Sequence, residues 1–212
     1  GVTRFSMSSI RHRTSFSRAR LWRQRRSVNA GVRHGPESML ADLRAVADMG
    51  IPALESVDIA TRGESLVLVQ AVAPYSKQPS AFHVDNLVVA EIGTDGRISA
   101  QVIFDPDDLD AAFAELDARY MAGEGASHGH IWSLVIQIYA AFNRHELFAL
   151  APGWVNVDHR RGVGSGTGEI DHHVSELWKL VPDIKSRIEA VHRLSDLGAV
   201  ITHAECGTTR EE

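Results

Sequence analysis

The chain has 212 residues, 44% of them hydrophobic, and a formal net charge of −5, enough for one large domain or two small ones with a real core. The first 34 residues carry nine of the 22 basic residues and no acid, which leaves 13 basic against 27 acidic residues in 35–212, a net −14; an acidic body argues against nucleic acid as the main partner. Cys206 is the single cysteine, which excludes an intrachain disulfide and points to a reducing, cytoplasmic setting.

Residues 1–24 are rich in Arg and Ser and free of acids. Four readings fit them: an arm for nucleic acid or anionic membrane, an organellar targeting peptide, a solvated disordered tail, or the remains of a truncated or rearranged first copy of a repeated module, which is favoured over a functional arm. From Gly35 the signals become regular. Gly35-Pro36-Glu37-Ser38 opens a helix with Leu40, Leu43 and Ala47 on one face, and Gly50 with Pro52 closes it. Strand-like runs follow at Leu54 to Thr61, Ser65 to Ala73 and Phe82 to Ile92. Gly93-Thr94-Asp95-Gly96 reads as a hairpin turn, and Arg97 to Phe104 as the returning strand. Asp105-Pro106-Asp107-Asp108 reads as a helix start with a capping carboxylate and acids facing the dipole. Leu109, Phe113, Leu116 and Tyr120 then mark one helical stripe.

Ala122 to Ser127 is read as a short flexible linker and the domain boundary. Beyond it, Ile131, Leu134, Val135, Ile138, Tyr139 and Phe142 define a wide apolar helix face. The run from Ile131 to Phe142 is broken by Ser133 and Gln137 and is shorter than the roughly 20 residues that span a bilayer. Trp154 to His159 alternates like a strand, the Gly-rich stretch 162–168 leads to a helix at Ile170 to Leu180, and strands follow at Arg187 to Leu194 and Ala199 to Cys206.

The chain also repeats itself. Arg160, Arg161, Val163 and Gly166 stand 135 positions after Arg25, Arg26, Val28 and Gly31; Leu177, Glu189 and Val191 stand 134 after Leu43, Glu55 and Val57; Val200 and Ala204 stand 133 after Val67 and Ala71. A period this long indicates a duplicated domain, since solenoid units repeat at roughly 20–50 residues. The order of elements, with FDPDDLDAAFAELDARYMAGEGA, WSLVIQIYAAFNRHE and WVNVDHRR, resembles the tandem SnoaL-like modules of actinobacterial regulatory proteins, in the nuclear transport factor 2-like superfamily. The resemblance covers about residues 25–209. It implies an α+β fold of two incomplete cystatin-like cones in tandem, each a curled antiparallel sheet packed on helices. The expected division is a basic disordered tail (1–24), a first module lacking its N-terminal helices (25–121), a linker (122–128) and a second module lacking its C-terminal strands (129–212). Open sheet edges left by the missing strands invite a homodimer.

In that superfamily the cone interior is a pocket, and enzymatic members use an Asp or a His–Asp pair as general base. The resemblance therefore directs attention to Asp158, His192 and His203 as candidate catalytic residues, and to Trp154, Tyr139, His83 and Asp85 as candidate ligand-binding residues. Asp158 and His159 are adjacent on a presumptive strand and face opposite sides. His192 shares a face with Ile188, Ala190 and Leu194, where a lone histidine is more often a core residue, and His203 is expected across from it. His83 and Asp85 fall on one face at i, i+2. Of the dense histidine spots, His128-Gly129-His130 lies by the linker. His172 and His173 diverge by roughly 100° on a helix. No metal and no cofactor is expected. Gly162 to Gly168 lacks the Lys-Ser/Thr of a phosphate loop and reads as a connector. Three functions are in play. The first is a non-catalytic module binding a small apolar ligand or mediating association. The second is an isomerase or cyclase of the ketosteroid-isomerase type, and the third a non-functional truncated remnant. Nucleic acid is expected only through the basic tail, and membrane not at all.

Overall fold

The computed structural model describes residues 21–24, 31–33, 55–72, 85–157, 159 and 170–209, with the helical positions Glu37, Leu40, Ala41, Arg44, Ala47 and Asp48. Strands run at β1 (Leu21–Gln24), β2 (Gly31–Arg33), β3 (Glu55–Arg62), β4 (Leu66–Val72), β5 (Asp85–Ile92), β6 (Ile98–Phe104), β7 (Lys185–Ser195) and β8 (Gly198–Cys206). Helices run at α1 (Leu109–Ala122), α2 (Gly129–Asn143) and α3 (Ile170–Leu180). The architecture is α+β. No helix among the described residues is long and apolar enough to cross a membrane. Contacts divide the chain into Gly1–Ile59 with Glu64–Arg119, and Ala60–Gly63 with Tyr120–Glu212. The division thus falls at Arg119 and Tyr120, inside α1, ahead of the 122–128 linker.

In the first unit the strands are ordered β2-β1-β6-β5-β4-β3. The antiparallel registers Leu68↔Val89, Leu87↔Phe104 and Val89↔Val102 put Leu66, Leu68, Leu87, Val89, Val102 and Phe104 on one face, all buried. Each such side chain contributes about 1.5–3 kcal/mol relative to exposure. Arg119 Nη1 reaches Glu91 Oε2 at 2.8 Å, which sets α1 against that face, and Ala112 and Leu116 are fully buried. The buried stripe is rotated from the expected one, because Leu109 and Phe113 are only half-buried. Pro106 also lies ahead of the helix. Asp108 N donates to Asp105 O at 3.0 Å, closing a turn with proline at its favoured second position. Between β5 and β6, Gly93 N donates to Arg97 O at 2.7 Å, and Gly96 takes φ +72°, which glycine adopts without steric cost.

Two features of this unit differ from the sequence reading. Leu21–Gln24 is a strand, although it lies in the stretch read as a disordered tail, and it pairs with β6 in parallel rather than antiparallel. Leu40 and Ala47 are helical, as expected, but the face they share is exposed; Leu43 lies outside the described residues. Of the strand expected at Phe82 to Ile92, Asp85–Ile92 is a strand, and residues 82–84 lie outside the described residues.

In the second unit the end of β3 pairs with β7 in parallel, Thr61↔Ala190 and Arg62↔Val191, and β7 pairs with β8 antiparallel. The stretch read as a flexible linker is a compact turn. Gly125 N donates to Tyr120 O at 2.8 Å, and a 3-10 turn at Ala126–His128 runs into α2. A Cβ on Gly125 would stand 2.8 Å from the Tyr120 ring, so the close approach requires glycine. Trp132 is buried on α2 and meets Tyr120 edge-on at 5.6 Å. The guanidinium of Arg62, 1% exposed, lies 5.5 Å from the Trp132 ring centroid. A second cluster joins Phe142, Val181 and Ile184 with Val174, Leu177 and Trp178.

Candidate functional site

The chemistry-bearing side chains of the second unit gather where α2 crosses the β7–β8 ribbon, and two bulges in β7 decide which way they point. Ile188 opposes His203 and Ala190 opposes Thr202; Val191 opposes Ile201 and Arg193 opposes Val200. Glu189 and His192 therefore have no partner residue on β8, and each shifts the alternation by one. Inward, towards α2, lie Ser186, Ile188 and Val191, each buried, with Ile201, His203 and Glu205 beside them. Outward lie Arg187, Ala190 and Arg193 with Val200, Thr202 and Ala204.

His192 is consequently exposed, and its Nε2 lies 2.8 Å from Thr202 Oγ1 on the outward side. It is not a core histidine beside Ile188, because the expected alternation assumed an unbroken strand. His203 does not stand across from it either. It opposes Ile188 and lies on the inward side, where its Nδ1 is 2.6 Å from the Tyr139 hydroxyl, with the rings edge-to-face at 5.8 Å. The two candidate catalytic histidines thus work opposite faces of one ribbon.

Burial, then the nearby Glu205 carboxylate, pushes the Tyr139 phenol from 10.0 up to about 12. The hydroxyl stays protonated at neutral pH. The tautomer of His203 sets the direction of the bond: with the hydrogen on Nε2 the phenol donates to Nδ1, and with it on Nδ1 the phenol oxygen accepts. The folded value is raised, so stability from this group is complete below pH 10 and is lost as pH rises through about 12. We expect the melting temperature to fall over that window and the fall to be shallower in Tyr139→Phe. Equal slopes in the two proteins, read by circular dichroism, would show that the phenol is not the titrating group.

The frame around this pair is held by longer-range bonds. Asn143, the last residue of α2, donates through Nδ2 to Ser186 O at 2.9 Å and accepts from Ser186 N at 2.7 Å. Lys185 Nζ reaches the Asn143 carbonyl at 2.7 Å, a cation at the negative end of the helix. At the ribbon tip Asp196 Oδ1 lies 2.8 Å from His128 Nδ1 and 4.0 Å from His130 Nε2. The His128 hydrogen bond holds the Asp196 carboxyl below the usual range. Beyond α2, His145 takes φ +59°. Its amide donates to Phe142 O, and that of Glu146 to Ala141 O, a Schellman ending. The His145 ring stacks on Trp178 at 5.0 Å.

Trp154 is 38% exposed and, like residues 155–157 and 159, belongs to no strand. The alternation of Val155 and Val157 meets no described neighbour to pair with, and both are exposed. Asp85 opens β5 in the first unit, opposite Val72, and accepts from Gln70 Nε2 at 3.0 Å. Asp158, His83 and the glycines of 162–168 lie outside the described residues. His172 and His173 sit with ring centroids 6.3 Å apart. Among the described residues no three His, Cys, Asp or Glu side chains converge as metal ligands would.

Sequence reasoning missed Arg62, Asn143 and Ser186. An arginine at a strand end reads as solvated, and the Asn143–Ser186 bond spans 43 residues with no local signature.

What α2 leaves uncovered is as informative as what it packs. Trp132, Tyr139 and Asn143 make the contacts just described. Leu134 and Ile138, one turn apart on another stripe of the helix, are 55% and 40% exposed. Of the eleven large apolar residues exposed among the described positions, nine fall in the second unit, including Val200 and Leu197 on the β7–β8 ribbon.

No protein-family model matches the chain, and no curated protein matches its sequence.

Proposed function

We propose that the chain carries two incomplete SnoaL-like modules and that its second unit is a non-catalytic association module. The observation that carries this reading is the exposure of Leu134 and Ile138, one turn apart on α2, in the unit that also exposes Val200 and Leu197 on its ribbon. Large apolar side chains left exposed side by side on a helix mark a contact surface. The duplication is supported by element order. The described helical positions Leu40, Ala41 and Arg44 stand 134 before Val174, Ser175 and Trp178 of α3, and β4 stands 133 before residues 199–205 of β8. Each copy thus runs helix, strand, strand. The opposed orientations of His192 and His203 favour association over proton-transfer catalysis.

Sedimentation equilibrium tests the reading. The wild-type chain should give a mass above its 23.2 kDa monomer. Leu134→Glu with Ile138→Glu should return it to the monomer with unchanged far-UV circular dichroism. A wild-type chain that stays at the monomer mass at every concentration overturns the proposal.

A further inference from the structure

We infer that the occupant of this surface is a second copy of the chain, and that the two copies join by antiparallel pairing of their β8 strands about a two-fold axis at Thr202. The inference rests on the association reading above. Among the described residues β8 ends the strand order, with β7 on one side and no strand on the other. It is nine residues long, so its open edge presents about 30 Å of backbone donors and acceptors. Monomeric proteins protect such edges with charged side chains, above all lysine, with proline, or with a bulge. The β8 sequence GAVITHAEC has no lysine and no proline, its one carboxylate, Glu205, stands next to its end, and the extra residues of the ribbon lie in β7.

The strand is complementary to itself. In the register of full overlap Thr202 meets its own copy, Val200 meets Ala204, Ile201 meets His203, and Ala199 meets Glu205. Glu205 is the one carboxylate of the strand and faces no like charge. Val200, 57% exposed in the single chain, gains a neighbour across the axis. An isologous contact of this kind closes on itself and yields a dimer rather than a filament.

The register makes an unambiguous test. Directly opposed residues of an antiparallel pair have Cα atoms about 4.5–5.5 Å apart, within the roughly 4.4–6.8 Å that a disulfide bridges. In a Cys206→Ser background, Thr202→Cys should oxidise to a covalent dimer. The native Cys206, opposite Gly198, lies about 27 Å from its own copy and should not. Thr202→Lys and Thr202→Glu each place like charges on the axis and should raise the dimer dissociation constant at least tenfold, while their equimolar mixture should restore a dimer. A wild-type dimer that neither cross-links at position 202 nor responds to the charged variants overturns the β8 pairing and leaves the association reading standing. A wild-type monomer overturns both.

Discussion

Trp132→Ala is expected to lower the unfolding free energy by about 3–5 kcal/mol, the largest single effect in the second unit. The indole is 4% exposed and stands between two groups that need it. Tyr120 packs its edge against the ring at 5.6 Å, and the Arg62 guanidinium lies 5.5 Å from the ring centroid. A buried guanidinium over an aromatic face is held partly by the ring quadrupole, so truncation leaves a cavity beside a charge. Trp132→Phe keeps a face for Arg62 and should cost about 1–2 kcal/mol. Urea denaturation followed by circular dichroism measures both. A loss below about 1 kcal/mol for the alanine variant would mean that Trp132 does not seal this core.

Asn143→Ala is expected to destabilise by about 2–4 kcal/mol, because each buried backbone group left unpaired costs about 1–3 kcal/mol. The Asn143 amide satisfies both the N–H and the C=O of Ser186, a residue 4% exposed. Removing it orphans a donor and an acceptor together. Asn143→Asp keeps an acceptor for the Ser186 amide but loses the donor to its carbonyl. It also puts a negative charge at the negative end of α2, so it should not rescue. Hydrogen exchange at the Ser186 amide gives the local readout. Protection that survives Asn143→Ala would show that the strand start is held by something else.

Periodicity made much of this fold legible. The helices at 109–122 and 129–143 follow from stripes at helical spacing, the helix at 170–180 from the Gly-rich stretch ahead of it, and β3 to β8 begin and end within three residues of their apolar runs. What escaped was non-local. The parallel pairings of β1 with β6 and β3 with β7 depend on segments far apart in sequence, which local patterns do not encode. Alternation at Trp154 to His159 is as clean as in any strand, yet a strand needs a partner, and Val155 and Val157 are 63% exposed. At the candidate site the residues were named and their orientations were not. Tyr139 and His203 come together, whereas His192 faces away from them, because β7 carries two extra residues that an even alternation could not anticipate. Arg62 escaped for a different reason. It packs against Trp132, 70 positions further along.

Those two extra residues also set which deletions β7 can absorb. Losing one residue from an ordinary strand turns every later side chain to the wrong face. Removing Glu189 and His192 from KSRIEAVHRLS instead leaves KSRIAVRLS, in which Ser186, Ile188, Val191 and Leu194 still alternate without interruption with Arg187, Ala190 and Arg193. Either position can be lost without moving an inward residue outward, and the strand would lose only the added twist that a bulge imposes. Residues 189 and 192 are therefore sites at which the length of this strand can drift between related sequences while its two faces are preserved.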